Sequence, residues 1–139
     1  MPKMIYDEVG YWSEVKLDII KEYAQEYTKI LSKQSFRFAY IDAFAGSGVH
    51  LAKSSGEFVQ GSPLNALLAK PPFQEYHLID IDQDKADNLR ELTKEHPNVV
   101  IYDGDCNQVL RNRVFPTMKF EDYRRALCIL PEFHLQVQL

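Results

Sequence analysis

The sequence predicts an α/β fold: a Rossmann-like parallel sheet with helices on both faces, incomplete at the C-terminus and preceded by an N-terminal amphipathic helix. Four short apolar runs alternate with helical patterns, which calls for parallel strands joined by right-handed crossovers. The first run, Phe38 to Ile41, ends in Asp42 and then a glycine turn through Phe44, Ala45, Gly46 and Gly48. Two further acids, Asp80 and Asp105, stand at or just beyond the ends of the next two runs.

The elements follow in chain order. From Ser13 to about Leu31, the residues Val15, Ile19, Ile20, Tyr23, Tyr27, Ile30 and Leu31 recur at three and four, predicting an amphipathic helix with Ser13 as N-cap. Trp12 reads as a staple onto the core and Lys16 as a solvated side chain, with reach of both toward a ligand as the alternative. Phe38 to Ile41 is a strand apolar on both faces, and Gly46 and Gly48 let the chain turn sharply and bring bare backbone near a ligand. Residues 49 to 61 lack helical periodicity and read as an inserted loop. A helix then begins with Ser62 as N-cap and Pro63 at its first position, and runs until Pro71 and Pro72 stop it. A second strand spans Tyr76 to Ile81, followed by a helix from an Asp82 cap to about Glu95, ahead of Pro97. A third strand covers Val99 to Tyr102 and leads into Asp103-Gly-Asp105-Cys106, then a short helix around Asn107 to Arg113. Residues 114 to 125 read as irregular, and Ala126 to Leu130 as a fourth buried strand.

At 139 residues and 45% hydrophobic content, the chain can bury one moderate core, so residues 1–139 form a single domain. A formal charge of -4 argues against a protein coated in positive charge, though a local basic patch could still meet a phosphate backbone. Cys106 and Cys128 are too few for a disulfide framework or a zinc site and read as buried apolar fillers. No apolar run approaches the roughly 20 residues of a membrane helix, and the N-terminus lacks a signal-peptide core. The expectation is a soluble cytoplasmic protein without membrane contact. His50, His77, His96 and His134 lack metal spacing, so no metal site is expected. Arg111, Arg113, Lys119, Arg124 and Arg125, against Glu121 and Asp122, make the one local basic bias near the predicted cleft; it reads as a solvated loop, with nucleic-acid guidance as the alternative.

The chemistry rests on the strand-end acids. In open α/β sheets the ligand crevice lies outside the carboxyl ends of the strands. A carboxylate there, such as Asp80, offers two adjacent acceptor oxygens to both hydroxyls of a ribose. Asp105 can accept from an exocyclic amine while the Cys106 N–H addresses a ring nitrogen, and Asp42 with the Gly46 and Gly48 backbone holds the polar tail of the ligand. Singly, each acid also fits a helix cap or a solvated loop carboxylate. Asp84, Asp87 and Asp103 lack the strand-end placement and read as surface. A dinucleotide fingerprint needs a Gly or Ala three residues past Gly48, where Leu51 stands, and a phosphate loop needs a lysine where Val49 follows Gly48. NAD and ATP are both disfavoured.

Ile41-Asp-Ala-Phe-Ala-Gly-Ser-Gly48 resembles the first motif of class I S-adenosylmethionine-dependent methyltransferases, especially the Asp-x-Phe-Ala-Gly-x-Gly form of nucleic-acid methyltransferases. With Trp12 and Lys16 in the leading helix, Gly61-Ser-Pro-Leu64 after the long loop, and Gly104-Asp-x-Asn107, the chain is similar over residues 12 to about 130 to the three-Cys-motif partner proteins. The resemblance implies S-adenosylmethionine as cofactor. Asp42, Gly46 and Gly48 would surround its methionine part, Asp80 would hold the ribose, and Asp105 with Cys106 would meet the adenine, with Phe44 and Ala45 also among the cofactor-binding residues. It also implies a partner protein of that family and a nucleic acid as the possible methyl acceptor. One motif departs. Where the family carries Leu-Asp-Pro followed by an aromatic and a glycine, this chain has Leu130-Pro-Glu-Phe133, without the aspartate. Glu132 follows the proline and is assigned no catalytic role. The alternation from Phe133 to Leu139 reads as an edge strand of a truncated, frameshifted or degenerate product whose open sheet edge would favour self-association or a partner. Two expectations therefore stand side by side, a methyltransferase-like protein and a non-catalytic one acting through binding.

Overall fold

The computed structural model describes residues 7–9, 11–43, 45, 49–52, 58–119, 121 and 123–129. Strand β1 (Asp7–Val9) leads into helix α1 (Tyr11–Leu31), then β2 (Arg37–Asp42), β3 (Val49–Ala52), β4 (Phe58–Gln60) and α2 (Ser62–Leu67). The chain continues through β5 (Glu75–Asp80), α3 (Gln83–Leu92), β6 (Val99–Asp103), α4 (Cys106–Val109) and β7 (Arg124–Ile129). The main sheet has the order β6-β5-β2-β7, and every pairing in it is parallel. Among the four predicted runs this is third, second, first, fourth: the chain steps outward from β2 and then returns to its other side.

The predicted loop at 49 to 61 contains structure of its own. β3 and β4 pair antiparallel, and β3 takes β1 as a parallel neighbour, so this segment belongs to a second, three-stranded sheet. The short strands carry too little alternation for periodicity alone to separate them from a loop. Two caps also differ from expectation. α1 starts at Tyr11, which puts Ser13 inside the first turn, and α2 is capped by the extended backbone of Gly61, with no side-chain cap. Asp82 caps α3 as predicted, accepting from the N–H groups of Asp84 and Lys85 at 2.9 and 3.2 Å. The helix expected around Asn107 to Arg113 is one α turn continued by a π-helical turn over Leu110–Val114. Phe44, Gly46, Ser47, Gly48, the side chain of Trp12, and the stretch Leu130-Pro-Glu-Phe133 lie outside the described residues, as does His134.

Period-two alternation divides the sheet between two apolar layers. On one face Phe38, Tyr40, Tyr76 and Leu78 meet Ala24 of α1, Ala66 of α2 and Leu89 of α3; on the other Ile41, Ile79 and Tyr102 meet Val109, Leu110 and Val114. Helices therefore cover both faces. The first layer is organised by Phe73, whose ring lies 5.4 to 5.9 Å from those of Tyr27, Phe38, Tyr40 and Tyr76. Ile19, Tyr23 and Ile30, which the periodicity assigns to the apolar side of α1, are exposed, because the buried stripe runs through Ala24, Thr28 and the half-buried Tyr27 and Leu31. Ile81 likewise leaves the strand and is exposed. Both cysteines are half-buried instead of interior.

The amino end of the sheet holds an ionic cluster that the sequence assigned elsewhere. Arg124 and Arg125 open β7, beside Arg37 and Phe38 at the start of β2, so they lie at the end opposite the predicted cleft. Glu75 accepts from Arg37 Nε at 3.0 Å, from Arg124, and from His77 Nε2 at 3.2 Å. Arg125 lies over the Phe36 ring, 4.2 Å from its centroid. These two arginines are structural contacts of the sheet, not a solvated loop. A carboxylate only accepts, so neutral His77 carries its proton on Nε2, and Nδ1 accepts from Tyr102 Oη at 3.0 Å. Burial pushes the His77 pKa down, opposed by the hydrogen bond and charge of Glu75. For Glu75, burial works against ionisation, but Arg37, Arg124 and His77 outweigh it and hold the carboxyl below its usual range.

Phe73→Ala removes the common member of the aromatic cluster and should destabilise the domain by about 3–5 kcal/mol in urea titration; a loss under about 1 kcal/mol would contradict its central place. Because the His77 pKa is lower folded than unfolded, the unfolded chain binds more protons as pH falls below about 6.5, and stability declines there. The depressed Glu75 carboxyl extends that decline to lower pH. His77→Gln should flatten the part of the stability–pH curve between pH 7 and the carboxylate range, and an unchanged slope would refute the assignment.

Candidate functional site

The carboxyl ends of β2, β5 and β6 bring the predicted acids to one end of the sheet. Asp42 pairs in register with Leu78, so Asp80 stands one strand over and two residues farther along, on the same face. Both side chains are nearly closed off from solvent, Asp42 at 1% and Asp80 at 4% exposure. Backbone hydrogen bonds bind the strand ends together. Ala43 N–H donates to Ile129 O at 2.9 Å, Ala45 N–H to Ile79 O at 2.9 Å, and Gly104 N–H to Asp80 O at 3.1 Å. The chain leaving β2 thus crosses from its β7 side to its β5 side before the glycine turn, and Ala45 is itself buried at that crossing.

Asp42 does not open toward solvent. Its Oδ2 accepts from Tyr40 Oη at 2.9 Å and from the Ser62 hydroxyl. Tyr40 reaches it because residues i and i+2 share a strand face. Ser62 reaches it because Gly61, and not Ser62, caps α2, which leaves the serine hydroxyl to point back at the strand. The Tyr40 phenol is raised well above its usual pKa, first by burial and then by the neighbouring Asp42 charge. The same charge acts across the sheet: Cys128 on β7 is pushed up to about 11, by burial first and Asp42 second, with Cys106 contributing further.

Asp80 accepts from the Asp82 N–H at 2.8 Å, a turn that orients its carboxylate at the end of β5. Asp105 is exposed and caps α4, accepting from the Gln108 N–H at 3.1 Å. Cys106, the first residue of α4, is half-buried against the apolar layer that includes Ile41 and Val109, and burial, followed by the Asp105 charge, raises its thiol pKa. Asp42 and Asp80 therefore share a face, while Asp105 and Cys106 stand at the outer strand β6. Asp84, Asp87 and Asp103 are exposed, and Arg90 bridges the last two at 2.6 and 3.7 Å.

Sequence reasoning did not connect Tyr40 or Ser62 to this site. The signal was available for one of them, since Tyr-x-Asp at the end of a strand puts a phenol beside a carboxylate. Among the described residues no group of His, Cys, Asp or Glu is arranged to hold a metal ion, and no helix is long and apolar enough to cross a membrane. The cap role of Asp105 is testable by itself. Asp105→Ala should lower stability by about 0.5–2 kcal/mol through loss of the Gln108 bond, and equal stability of the variant in chemical denaturation would refute it. Comparison of the chain with protein-family models and with curated proteins gave no match.

Proposed function

We propose that the carboxyl-end crevice binds S-adenosylmethionine and that the chain is a methyltransferase-like domain of the class I type, similar to the three-Cys-motif partner proteins. One observation carries the reading: two buried carboxylates, Asp42 and Asp80, stand on one face at adjacent strand ends. Asp42 ends β2, which flanks the reversal of strand order between β2 and β7, and Asp80 ends the neighbouring β5; ligands of open α/β sheets bind at such reversals. The Asp-x-Phe-Ala-Gly-x-Gly turn leaves β2 at this point.

In this reading Asp80 accepts from the two ribose hydroxyls with its paired oxygens. Asp105 and the Cys106 N–H address the adenine from the end of β6. The turn after Asp42, with Phe44, Gly46 and Gly48, surrounds the methionine part. Asp42 acts from behind that turn, since its carboxylate is enclosed by Tyr40 and Ser62. Arg111 and Lys119, both exposed after α4, are the basic residues left to meet a nucleic-acid acceptor once Arg124 and Arg125 are assigned to the sheet and Arg113 to the Tyr102 ring, 4.7 Å from its centroid.

A second reading, cofactor binding without methyl transfer, is favoured by Leu130-Pro-Glu-Phe133, which lacks an acid before the proline to orient an acceptor. The position of β7 at the edge of the described sheet also suits action through a partner protein or a second copy. Transfer of a labelled methyl group to nucleic acid separates the two readings, because only the first allows it.

Calorimetric titration with S-adenosylmethionine and S-adenosylhomocysteine tests what both readings share. Binding is expected, and Asp80→Ala should weaken it by at least about 1 kcal/mol through lost ribose hydrogen bonds. Absence of binding of either compound at millimolar concentration would overturn the cofactor assignment; unchanged affinity of a folded Asp80→Ala protein would overturn the role of Asp80 alone.

A further inference from the structure

We infer that α1 carries a self-complementary dimer interface, along which a second copy of this chain packs antiparallel through Ile19, Tyr23, Glu26 and Ile30. This pairing does not depend on what the carboxyl-end crevice binds.

Helix α1 has more apolar surface than the sheet covers. Its inner stripe, Ala24 with the half-buried Tyr27 and Leu31, packs on the aromatic layer. Ile19, Tyr23 and Ile30 remain 59%, 60% and 57% exposed. Single exposed apolar residues are ordinary, but these three are not scattered. At about 100° per residue they fall within about 40° of one another on the helix. With Glu26 they recur at steps of four, three and four, which is the seam of a two-helix coiled coil and narrower than the face a helix turns to a sheet.

The charge beside the seam selects a second copy as the occupant. Glu22 and Lys29 lie one heptad apart, so they share one flank of the seam, and both are exposed. A two-fold axis across α1 near residue 25 turns that flank onto itself, and Glu22 of each copy then meets Lys29 of the other. The same axis sets Ile19 against Ile30 and Tyr23 against Glu26, where the phenol can donate to the carboxylate. Glu26 is oriented on this surface by its own helix, accepting from Lys29 Nζ at 3.4 Å, with its side chain 66% exposed. A polar residue within such a seam fixes register at a cost in stability. A parallel pair would set Glu22 against Tyr27 of the second copy and give it no lysine. An unrelated helix would have to supply both charges, whereas a second copy carries them by symmetry. Three large apolar side chains a copy make a small interface, so the dimer is weak and reversible.

Sedimentation velocity of the full chain over a concentration series tests the pairing. A monomer–dimer equilibrium should appear below about 500 µM, as suits a small interface. Tyr23→Glu opposes Glu26 of the second copy and should weaken association about tenfold or more. Glu22→Lys and Lys29→Glu, each alone, oppose like charges and should weaken it about threefold or more, while the two together should return it to within about twofold of the wild type. All three positions are exposed, so circular dichroism should show each variant folded. Should Tyr23→Glu not fold, Ile19→Glu, opposite Ile30 of the second copy, replaces it with the same expectation. A wild type that stays monomeric at about 500 µM overturns the inference. A dimer that persists in Tyr23→Glu lies on another surface, such as the edge of β7, and overturns it as well. If Tyr23→Glu separates the copies but the double charge exchange does not restore association, the antiparallel pairing is refuted.

Discussion

The burial of β2 is the constraint on which the rest of the structure depends. This strand is paired along both edges, with β5 on one side and β7 on the other, and covered on both faces from Phe38 to Asp42. A parallel strand with no solvent face cannot alternate polar and apolar residues, which is why Phe38-Ala-Tyr-Ile41 is an unbroken apolar run. Every backbone group in it must find its partner within the sheet, so the register of both neighbours is fixed by β2. Ala39 carries little volume, and the bulk that fills the layers comes from Phe38 and Tyr40 on one face and Ile41 on the other. Asp42 ends the run inside this enclosure. Its burial follows from the strand's position, and its tolerable cost follows from the two hydroxyls aimed at it.

The two ends of the sheet differ in how their charged side chains are held. At the amino end the arginines Arg37 and Arg124 converge on Glu75, with His77 and Tyr102 extending the network into the layer beneath. Nearly every charge there is answered by another, so the end can be closed by side chains and needs no ligand. At the carboxyl end Asp42 accepts from the hydroxyls of Tyr40 and Ser62, and Asp80 and Asp105 accept from backbone N–H groups. Those hydrogen bonds orient the carboxylates. The end at which α/β sheets take ligands is thus the end where Asp42 and Asp80 are buried side by side.

How much of this was legible in the sequence depends on the range over which each feature is encoded. The four strands of the main sheet, α1 and α3 were readable because apolar runs and helical periodicity are local signals, and the Asp82 cap because its partners are two and three residues away. The placement of Asp42 and Asp80 at strand ends followed from the same runs. What the sequence concealed is non-local. β3 exists because β1 and β4 flank it, and neither neighbour marks residues 49–52 as a strand. Arg124 and Arg125 read as a basic loop until register sets them beside Arg37 and Phe38, with Glu75 in reach of Arg124. Ile19, Tyr23 and Ile30 satisfy the helical period, yet a helix packed along one stripe leaves part of a wide apolar arc outside.

Ser62 shows most directly how a residue can be placed correctly and its partner missed. A serine before a proline at a helix start fits an N-cap, because its hydroxyl is suited to an orphan backbone N–H. Here Gly61 supplies the extended cap conformation and Asn65 N–H donates to the Gly61 carbonyl at 3.0 Å, so the helix begins one residue earlier than the serine would set it. The hydroxyl is released to a carboxylate 20 residues upstream in the chain. A capping serine would have stabilised α2 alone; a serine turned to Asp42 couples the start of α2 to the end of β2. The residues that order this junction, Tyr40, Asp42 and Ser62, therefore fix the carboxyl end of β2 against the start of α2.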